Sequence, residues 1–309
     1  MSSAPRVAIL PSATDDIERA VTEGGGSIVD IAEADALVWT DPRNPQQLKE
    51  VLETSEVDWV QLPFAGIETF FEAGVIDPSL TWTCAKGIYG PACAEHALAL
   101  LLAAARRLHV HARAESWSKL GLESPEYRLE NKTVVVVGTG GIGSALVPMV
   151  QPLGVHIIGV NRSGRALEGA DRTVAVEELE SVLPEADFTV VAAAYTDATH
   201  HLFDKSKFAA MKSDSWIVNV ARGGLIDTDA LVSALQAQDI GGAALDVTDP
   251  EPLPDGHPLW DLENCLITPH IANTWAMGLA ELPGLVRRNV AARATGERME
   301  GLVDPELGY

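Results

Sequence analysis

The feature that most constrains the fold is a glycine-rich stretch at residues 138–143, which reads Gly-Thr-Gly-Gly-Ile-Gly. It follows four successive valines at residues 134–137, a run that is typical of a buried parallel strand. Gly138 permits a tight turn, Gly140 lets the backbone approach a pyrophosphate, and Gly143 lets a following helix pack closely on the strand. Strand, spaced glycines and helix together predict a dinucleotide-binding fold, although an ordinary strand-to-helix turn is the simpler alternative.

The positive end of the helix that follows these glycines predicts where the phosphates bind. Free backbone N–H groups at a helix N-terminus attract anions. We therefore expect the phosphates to lie at this helix end and the cofactor-binding residues of the loop to be Gly138, Gly140, Gly141, Ile142 and Gly143.

Length and charge limit the classes of protein. The chain has 309 residues, which is too long for one typical core and suits two domains. A formal net charge of −22 argues against nucleic acid and anionic membranes as partners. The longest apolar run, residues 97–105, is too short to span a bilayer, and the N-terminal apolar run is too short for a signal peptide. Three scattered cysteines fit thiols in a reducing cytoplasm, and the histidines lack ligand spacing, so no metal is expected.

Two groups of predicted strands alternate with helical patterns. The first group comprises residues 6–10, 27–31, 36–40, 57–62 and 80–84, with helices at 15–23 and 45–53. The second comprises residues 133–137, 155–160, 188–193, 216–220, 242–247 and 265–268, with helices at 177–183 and 229–238. Such alternation predicts parallel sheets. Only the second group carries the glycine motif, so the first is expected to be a different domain.

The predicted fold class is α/β, with two doubly wound parallel-sheet domains of Rossmann or flavodoxin type and a cleft between them. Residues 1–90 with 280–309 are expected to form a discontinuous substrate domain, and residues 121–279 the dinucleotide-binding domain. Residues 91–120 are expected to form an interdomain and dimer helix, which runs from residue 92 to about Trp117 and is apolar almost all round at residues 94–105. A loop is expected at residues 121–131.

Three polar side chains at the ends of predicted strands are the candidate catalytic residues. Arg222 follows the fourth strand of the second group, Glu251 follows the fifth, and His270 follows the sixth. A guanidinium binds a carboxylate through two parallel hydrogen bonds, and an imidazole exchanges protons near neutral pH. Each residue alone has an ordinary structural explanation, but all three beside one glycine loop predict reduction of a 2-oxo acid with a nicotinamide cofactor.

The same segments also carry a family resemblance. The sequences around Gly138, Arg222, Glu251, His257-Pro258-Leu259-Trp260 and His270 resemble the signatures of the D-isomer-specific 2-hydroxyacid dehydrogenases. That family includes glyoxylate/hydroxypyruvate reductases, D-lactate dehydrogenases and phosphoglycerate dehydrogenases, and the match covers nearly the whole chain. The stretch at residues 90–96 resembles the start of the family's interdomain helix, which implies a homodimer.

The resemblance implies a role for each site residue. Arg222 binds the substrate carboxylate and polarises its carbonyl. His270 is the general acid in reduction and the base in oxidation, and it is paired with Glu251. Asp246 contacts the nicotinamide carboxamide. The expected substrate contacts are Ala65, Gly66, Lys86, Arg222 and Trp275. Further cofactor contacts are expected at Ala193, Ala194, Val220, Ala221, Arg222, His270 and Ala272.

The end of the second strand of this domain favours NADP over NAD. An NAD enzyme of this fold usually carries an acid about 20 residues beyond the glycine loop. Here residues 161–165 read Asn-Arg-Ser-Gly-Arg, with no acid. Arg162 and Arg165, with Asn161 and Ser163, would offer cations and hydrogen bonds to a 2′-phosphate. A solvated basic loop is the alternative.

The function that best accounts for these features is an NADPH-dependent reductase of a small 2-oxo acid such as glyoxylate or hydroxypyruvate. A dehydrogenase for D-lactate or phosphoglycerate is an alternative within the family. Phosphoglycerate is less favoured, because basic residues for a substrate phosphate are not evident. A different class remains open, a nucleotide-sensing binding protein like a transcriptional corepressor.

Overall fold

The computed structural model describes residues 4–117 and 127–305. The chain divides into two compact units, residues 1–89 with 274–309, and residues 90–273. Each unit contains one parallel sheet flanked by helices, so the predicted α/β class is confirmed. The division falls between residues 273 and 274, where the sequence predicted 279 and 280, because the last helix is continuous from Trp275. No helix within the described residues is long and apolar enough to cross a membrane.

The first unit is built on a five-stranded parallel sheet. Its strands are β1 (Arg6–Leu10), β2 (Ser27–Ile28), β3 (Ala36–Trp39), β4 (Trp59–Gln61) and β5 (Thr81–Thr83), in the spatial order β2-β1-β3-β4-β5. The central strand β3 is buried at every position, as expected for a strand that is covered on both faces. Leu37 and Trp39 are fully buried in one core cluster, and Ala36 and Val38 in the other.

Three helices of this unit precede β5, namely α1 (Asp15–Glu23), α2 (Pro45–Glu53) and α3 (Glu68–Glu72). The first two begin at residues whose side chains cap the helix. The Thr14 side chain accepts a hydrogen bond from the N–H of Ile17 at the start of α1. Asn44 does the same for Gln47, and Pro45 occupies the first position of α2. Side-chain acceptors at these positions satisfy N–H groups that the helix leaves unpaired.

The apolar helix that opens the second unit is shorter than the sequence predicted. Helix α4 spans Gly90–Ala105 and is followed by a short α5 at Leu108–Ala112, rather than one helix to Trp117. Arg107 between them adopts a left-handed backbone with φ 48°, and the Ala105 carbonyl accepts the N–H of Tyr127. A left-handed residue cannot continue a right-handed helix, so the chain turns there. Residues 118–126 lie outside the described residues. They include the end of the predicted helix, residues 118–120, and the first part of the predicted loop, residues 121–126.

The second unit contains a seven-stranded parallel sheet. Its strands are β6 (Thr133–Val137), β7 (His156–Asn161), β8 (Arg172–Ala175), β9 (Phe188–Val191), β10 (Trp216–Asn219), β11 (Gly242–Leu245) and β12 (Cys265–Ile267). Their spatial order is β12-β11-β10-β9-β6-β7-β8. The sequence predicted six of these strands and missed β8, which lies at the sheet edge with Arg172 exposed. The order reverses between β6 and β9, as in doubly wound nucleotide-binding folds.

Four helices connect these strands. They are α6 (Gly141–Val150), α7 (Leu179–Val182), α8 (Lys205–Ala210) and α9 (Thr228–Ala237). The helix predicted at residues 177–183 is reduced to α7 with a 3₁₀ turn on each side. Asp227 caps α9 by accepting the N–H of Ala230.

The last helix, α10 (Trp275–Thr295), belongs to the first unit and packs along α1. The chain then pairs with the edge of the first sheet, where Leu302 forms an antiparallel bridge with Thr83. The N–H of Val303 also donates to the carbonyl of Trp82. Assembly into a homodimer remains a prediction.

Candidate active site

The predicted catalytic residues follow three neighbouring strands of the second unit. Arg222 comes after β10, Glu251 lies in the loop after β11, and His270 comes after β12. The carboxyl ends of parallel strands meet at one sheet edge, so all three residues are carried by the same edge. The glycine loop follows β6 at that edge.

His270 and Glu251 form a direct pair. The Nδ1 of His270 lies 2.6 Å from Oε1 of Glu251. Both side chains are partly exposed, at 47% and 42% of their surface. A carboxylate only accepts hydrogen bonds at neutral pH, so Nδ1 carries the proton and donates it to Glu251. This leaves Nε2 as the ring nitrogen that is free to exchange a proton with a bound molecule.

The loop that carries His270 is wrapped around Asp246. The Asp246 side chain is buried and accepts hydrogen bonds from the Thr268 hydroxyl at 2.6 Å and from the N–H groups of Ile271 at 3.0 Å and Ala272 at 2.9 Å. The N–H of His270 donates to the Asp246 carbonyl, and His270 itself has a left-handed backbone with φ 53°. Left-handed backbone is uncommon for a residue other than glycine, so these contacts offset its strain.

Arg222 is held by a buried asparagine. The Asn219 side chain is fully buried, donates to the carbonyl of Arg222 at 2.9 Å and accepts the N–H of Ala221 at 3.0 Å. The next residue, Gly223, lies so close to Thr248 that a Cβ would overlap the backbone there. The turn that presents Arg222 is therefore fixed from both sides.

The glycine loop has the shape of a phosphate cradle. Gly138 has φ +98°, and a Cβ on it would overlap the backbone of Ala192 and Ala193, while a Cβ on Gly143 would overlap the carbonyl of Gly138. By contrast, a Cβ on Gly140 would meet no atom within 4 Å. Gly138 and Gly143 thus close the loop on itself, and Gly140 faces open space at the N-terminus of α6. These residues fit a dinucleotide, whose phosphates would lie against Gly140 and the first N–H groups of α6.

Asn161, at the end of β7, shapes the loop that was predicted to bind the ribose. Its amide donates to Thr139 at 3.0 Å and to the carbonyl of Arg165 at 2.7 Å. Its oxygen accepts the N–H groups of Ser163 and Arg165, both at 3.1 Å. Both amide hydrogens and both lone pairs are therefore used, one hydrogen on Thr139 of the glycine loop and the rest within residues 161–165. Arg162, Ser163 and Arg165 are exposed around this centre.

The remaining predicted cofactor contacts lie at the same sheet edge. Ala193 adjoins Gly138, and Ala194 follows it after β9. Val220 and Ala221 follow β10, and Ala272 donates to Asp246. The segment from His257 to Trp260, which resembles a family signature, has a structural role. His257 caps a 3₁₀ turn, and Leu259 in that turn is buried in the core.

Four predicted substrate contacts lie in the first unit. Ala65 and Gly66 follow β4, and Lys86 follows the adjacent β5. The ring of Trp275 packs edge-on against Phe64, with centroids 5.3 Å apart, so Trp275 lies beside the loop of Ala65 and Gly66. Their contact with substrate remains a prediction.

Two polar residues near Asp246 were not identified as functional from the sequence. Thr268 binds the Asp246 carboxylate, and His96, from α4, lies 3.0 Å from the Thr268 hydroxyl oxygen and 3.2 Å from Asp246 Oδ1. The sequence analysis assigned no individual role to His96. The only signal for a further role was a titratable side chain within an apolar run.

Cys93 is unsuited to act as a nucleophile. Burial raises the pKa of its thiol to about 11, and the nearby Asp246 carboxylate adds to the rise while Arg222 opposes it. The thiol is therefore neutral at physiological pH. Within residues 4–117 and 127–305, no group of three or more His, Cys, Asp or Glu side chains could hold a metal ion.

Comparison with known proteins agrees with this geometry. The sheet order and the polar side chains at its carboxyl edge define a dinucleotide-dependent dehydrogenase. The sequence model for the NAD-binding domain of the D-isomer specific 2-hydroxyacid dehydrogenases matches residues 98–272. The chain belongs to that family and is a 2-hydroxyacid oxidoreductase.

Individual relatives extend over most of the chain. The "uncharacterized protein in proB 3′ region" of Corynebacterium melassecola is 42% identical, over 94% of this chain and 95% of its own length. The glyoxylate reductase of Thermofilum pendens is 34% identical, over 73% of this chain and 68% of its own. A D-isomer specific 2-hydroxyacid dehydrogenase family protein of Aeromonas salmonicida superposes with a TM-score of 0.82 at 28% identity, covering 98% of this chain and 100% of that one.

Proposed function

We propose that this protein is an NADPH-dependent reductase of small 2-oxo acids such as glyoxylate and hydroxypyruvate. The observation that carries the proposal is the 2.6 Å contact between His270 and Glu251, at the sheet edge that also carries Arg222. A histidine whose Nδ1 is held by a carboxylate is oriented for proton transfer through Nε2. The similarity to a glyoxylate reductase supports the substrate class.

The nicotinamide of the bound cofactor would supply the hydride. His270 gives a proton from Nε2 to the carbonyl oxygen of the 2-oxo acid, and its Nδ1–H stays bonded to Glu251 throughout. In the reverse direction, the same nitrogen accepts the hydroxyl proton. Glu251 keeps the ring in one orientation and stabilises its protonated form.

Arg222 binds the carboxylate of the substrate. Its planar guanidinium offers parallel N–H donors to two carboxylate oxygens, and this fixes the orientation of the carbonyl. The turn at Asn219 and Gly223 fixes the backbone of Arg222, and the guanidinium donates to the Ala221 carbonyl, so less conformational entropy is lost when the substrate binds.

Arg162 and Ser163 select NADPH. Both residues are exposed, on a loop whose backbone is fixed by Asn161. A 2′-phosphate carries close to two negative charges and forms charge-assisted hydrogen bonds with arginine. The second strand presents no carboxylate at residues 161–165 to repel it.

A substrate panel tests the proposed reaction. NADPH oxidation is measured with glyoxylate, hydroxypyruvate, pyruvate and 3-phosphohydroxypyruvate. We expect kcat/KM to be highest for the first two acids. Tight NADPH binding without turnover of any 2-oxo acid would contradict the proposal and favour a nucleotide-sensing protein.

Cofactor choice is tested at Arg162. One charge-assisted hydrogen bond contributes roughly 1.5–3 kcal/mol, so losing it should reduce the preference for NADPH by about tenfold or more. Arg162→Asp should also repel the phosphate and offer the ribose diol an acceptor, which moves the ratio of kcat/KM values towards NADH. Arg298→Asp, an equal charge change at an exposed residue of the first unit, is the control. A wild-type preference for NADH would show that Arg162 has no such role.

A further inference from the structure

A partly buried contact connects α4 with the loop of the proposed general acid. His96 lies on α4, about 170 residues before the loop in sequence, and its ring nitrogen Nε2 is 3.0 Å from the Thr268 hydroxyl oxygen. The same nitrogen is 3.2 Å from Asp246 Oδ1. The His96 side chain is 19% exposed and that of Asp246 1%. The proposed mechanism uses neither His96 nor Thr268.

The direction of each hydrogen bond in this cluster follows from counting protons. A threonine hydroxyl has one hydrogen, and Thr268 gives it to Asp246 Oδ1 at 2.6 Å. The Thr268 oxygen therefore accepts from His96, and Nε2 of His96 must carry a hydrogen. That N–H lies within reach of both the hydroxyl oxygen and the carboxylate.

The Asp246 carboxylate in turn determines the backbone of the catalytic loop. It accepts the N–H groups of Ile271 and Ala272, the two residues that follow His270. His270 has φ 53°, and its N–H is bonded to the Asp246 carbonyl. A shift of the carboxylate would therefore move the segment that aims the imidazole.

We propose that His96 and Thr268 are positioning residues, which hold the Asp246 carboxylate so that the His270 loop keeps its left-handed turn. The inference rests on the proposed function, because it assigns the purpose of the cluster to the reduction that His270 performs. It makes α4 a part of the catalytic apparatus in addition to its place in the core.

Paired variants test the proposal by steady-state kinetics. His96→Leu removes the donor, whereas His96→Gln keeps an amide N–H of similar reach. Thr268→Val removes the hydroxyl at nearly constant volume, whereas Thr268→Ser keeps it. We expect kcat for the best 2-oxo acid to fall about ten- to a hundredfold in His96→Leu and Thr268→Val, because small misplacements of a catalytic group have effects of that size. KM for the acid, which Arg222 sets, should change much less, and the Gln and Ser variants should recover most of kcat.

Hydrogen exchange gives a readout that does not depend on turnover. The amides of Ile271 and Ala272 are bonded to Asp246, so they should exchange faster in His96→Leu and Thr268→Val and recover in His96→Gln and Thr268→Ser. The double variant should lose little more than the worse single one, because both residues act through one carboxylate. Thr189→Val is a matched control, since the Thr189 hydroxyl on β9 is also buried but has no partner within the described residues.

The outcomes separate this proposal from the proposed function. Unchanged exchange at Ile271 and Ala272 in His96→Leu, or equal loss of kcat in His96→Gln and His96→Leu, would overturn the positioning role. A wild-type protein without reductase activity would instead overturn the proposed function, and the exchange experiment would still decide whether His96 holds the loop.

Discussion

Arg222 lies on a turn whose rigidity matches its proposed task. Asn219 binds the backbone on both sides of it, and the Arg222 side chain also donates to the Ala221 carbonyl at 2.7 Å. The sequence revealed the arginine at a strand end but not the asparagine clamp, because an asparagine inside a strand reads as an ordinary polar residue. Its role is apparent only when its two backbone partners are seen.

Replacing Arg222 by lysine tests whether the planar guanidinium matters. The charge is kept but the parallel pair of N–H donors is lost. We expect KM for the 2-oxo acid to rise at least about tenfold, the equivalent of one lost charged hydrogen bond, and kcat to fall as alignment worsens. Steady-state kinetics measure both, and unchanged constants would rule out bidentate binding by Arg222.

Asn161 has a structural role that its position alone does not show. The sequence predicts a cofactor contact at Asn161, which ends the second strand of the domain, and that contact remains a prediction. In the structure its side-chain amide joins two loops, with hydrogen bonds to Thr139 in the glycine loop and to Ser163 and Arg165 in its own loop. Residue type and strand position identified the loop, but the partners of one amide depend on the folded backbone.

At the scale of elements, the glycines of the loop differ in their surroundings, since Gly143 is needed for close packing and Gly140 faces open space. A Cβ on Gly143 would overlap the Gly138 carbonyl, whereas a Cβ on Gly140 would enter open space. The sequence predicted both glycines for these reasons, because the spacing of the motif encodes the turn and the close packing of α6.

Alanine at these two positions should therefore have different effects. Gly143→Ala should lower Tm, because the helix must move away from the strand. Gly140→Ala should leave Tm nearly unchanged but weaken NADPH binding about tenfold or more, because the methyl group holds the pyrophosphate away from the N–H groups. Thermal unfolding and cofactor titration measure the two effects. Equal loss of Tm in both variants would contradict the assignment of Gly140 to the phosphates.

Element boundaries were the least predictable part of the fold. The apolar composition of residues 92–105 correctly indicated a buried helix, but nothing in the pattern showed that Arg107 would turn left-handed. The edge strand β8 was missed because its residues pack on one neighbour only and lack a buried run. The end of α4 and the pairing of β8 depend on contacts with residues distant in sequence, and hydrophobic periodicity does not reveal such contacts.

At the scale of the whole molecule, a charged cluster in the second unit lies at the amino ends of the strands, opposite the carboxyl ends that carry the proposed active site. Asp187, just before β9, accepts the N–H of Thr133 at 2.8 Å and lies near Lys212 and Lys132, at 3.2 Å and 3.4 Å. Burial tends to raise the pKa of this carboxyl, but the Thr133 hydrogen bond and the two lysines hold it below its ordinary 3.8.

The sign of this shift predicts a pH-dependent contribution to stability. A carboxyl with a lowered pKa in the folded state stabilises the fold above its ordinary pKa, and that stabilisation is lost as pH falls through and below 3.8. Asp187→Asn should lower the free energy of unfolding by roughly 1 to 3 kcal/mol at neutral pH. Denaturant unfolding at several pH values should show the difference from wild type shrinking below pH 3.8, and a constant difference would contradict the assignment.

His270→Gln tests whether His270, oriented by Glu251, transfers the proton in reduction of a 2-oxo acid. Glutamine keeps a hydrogen bond to the carbonyl but cannot exchange the proton. We predict that kcat for NADPH-dependent reduction falls by about 10²- to 10⁴-fold, the usual contribution of general acid–base catalysis, while NADPH affinity changes little. A variant that retains near-wild-type kcat with the preferred 2-oxo acid would show that His270 does not transfer the proton.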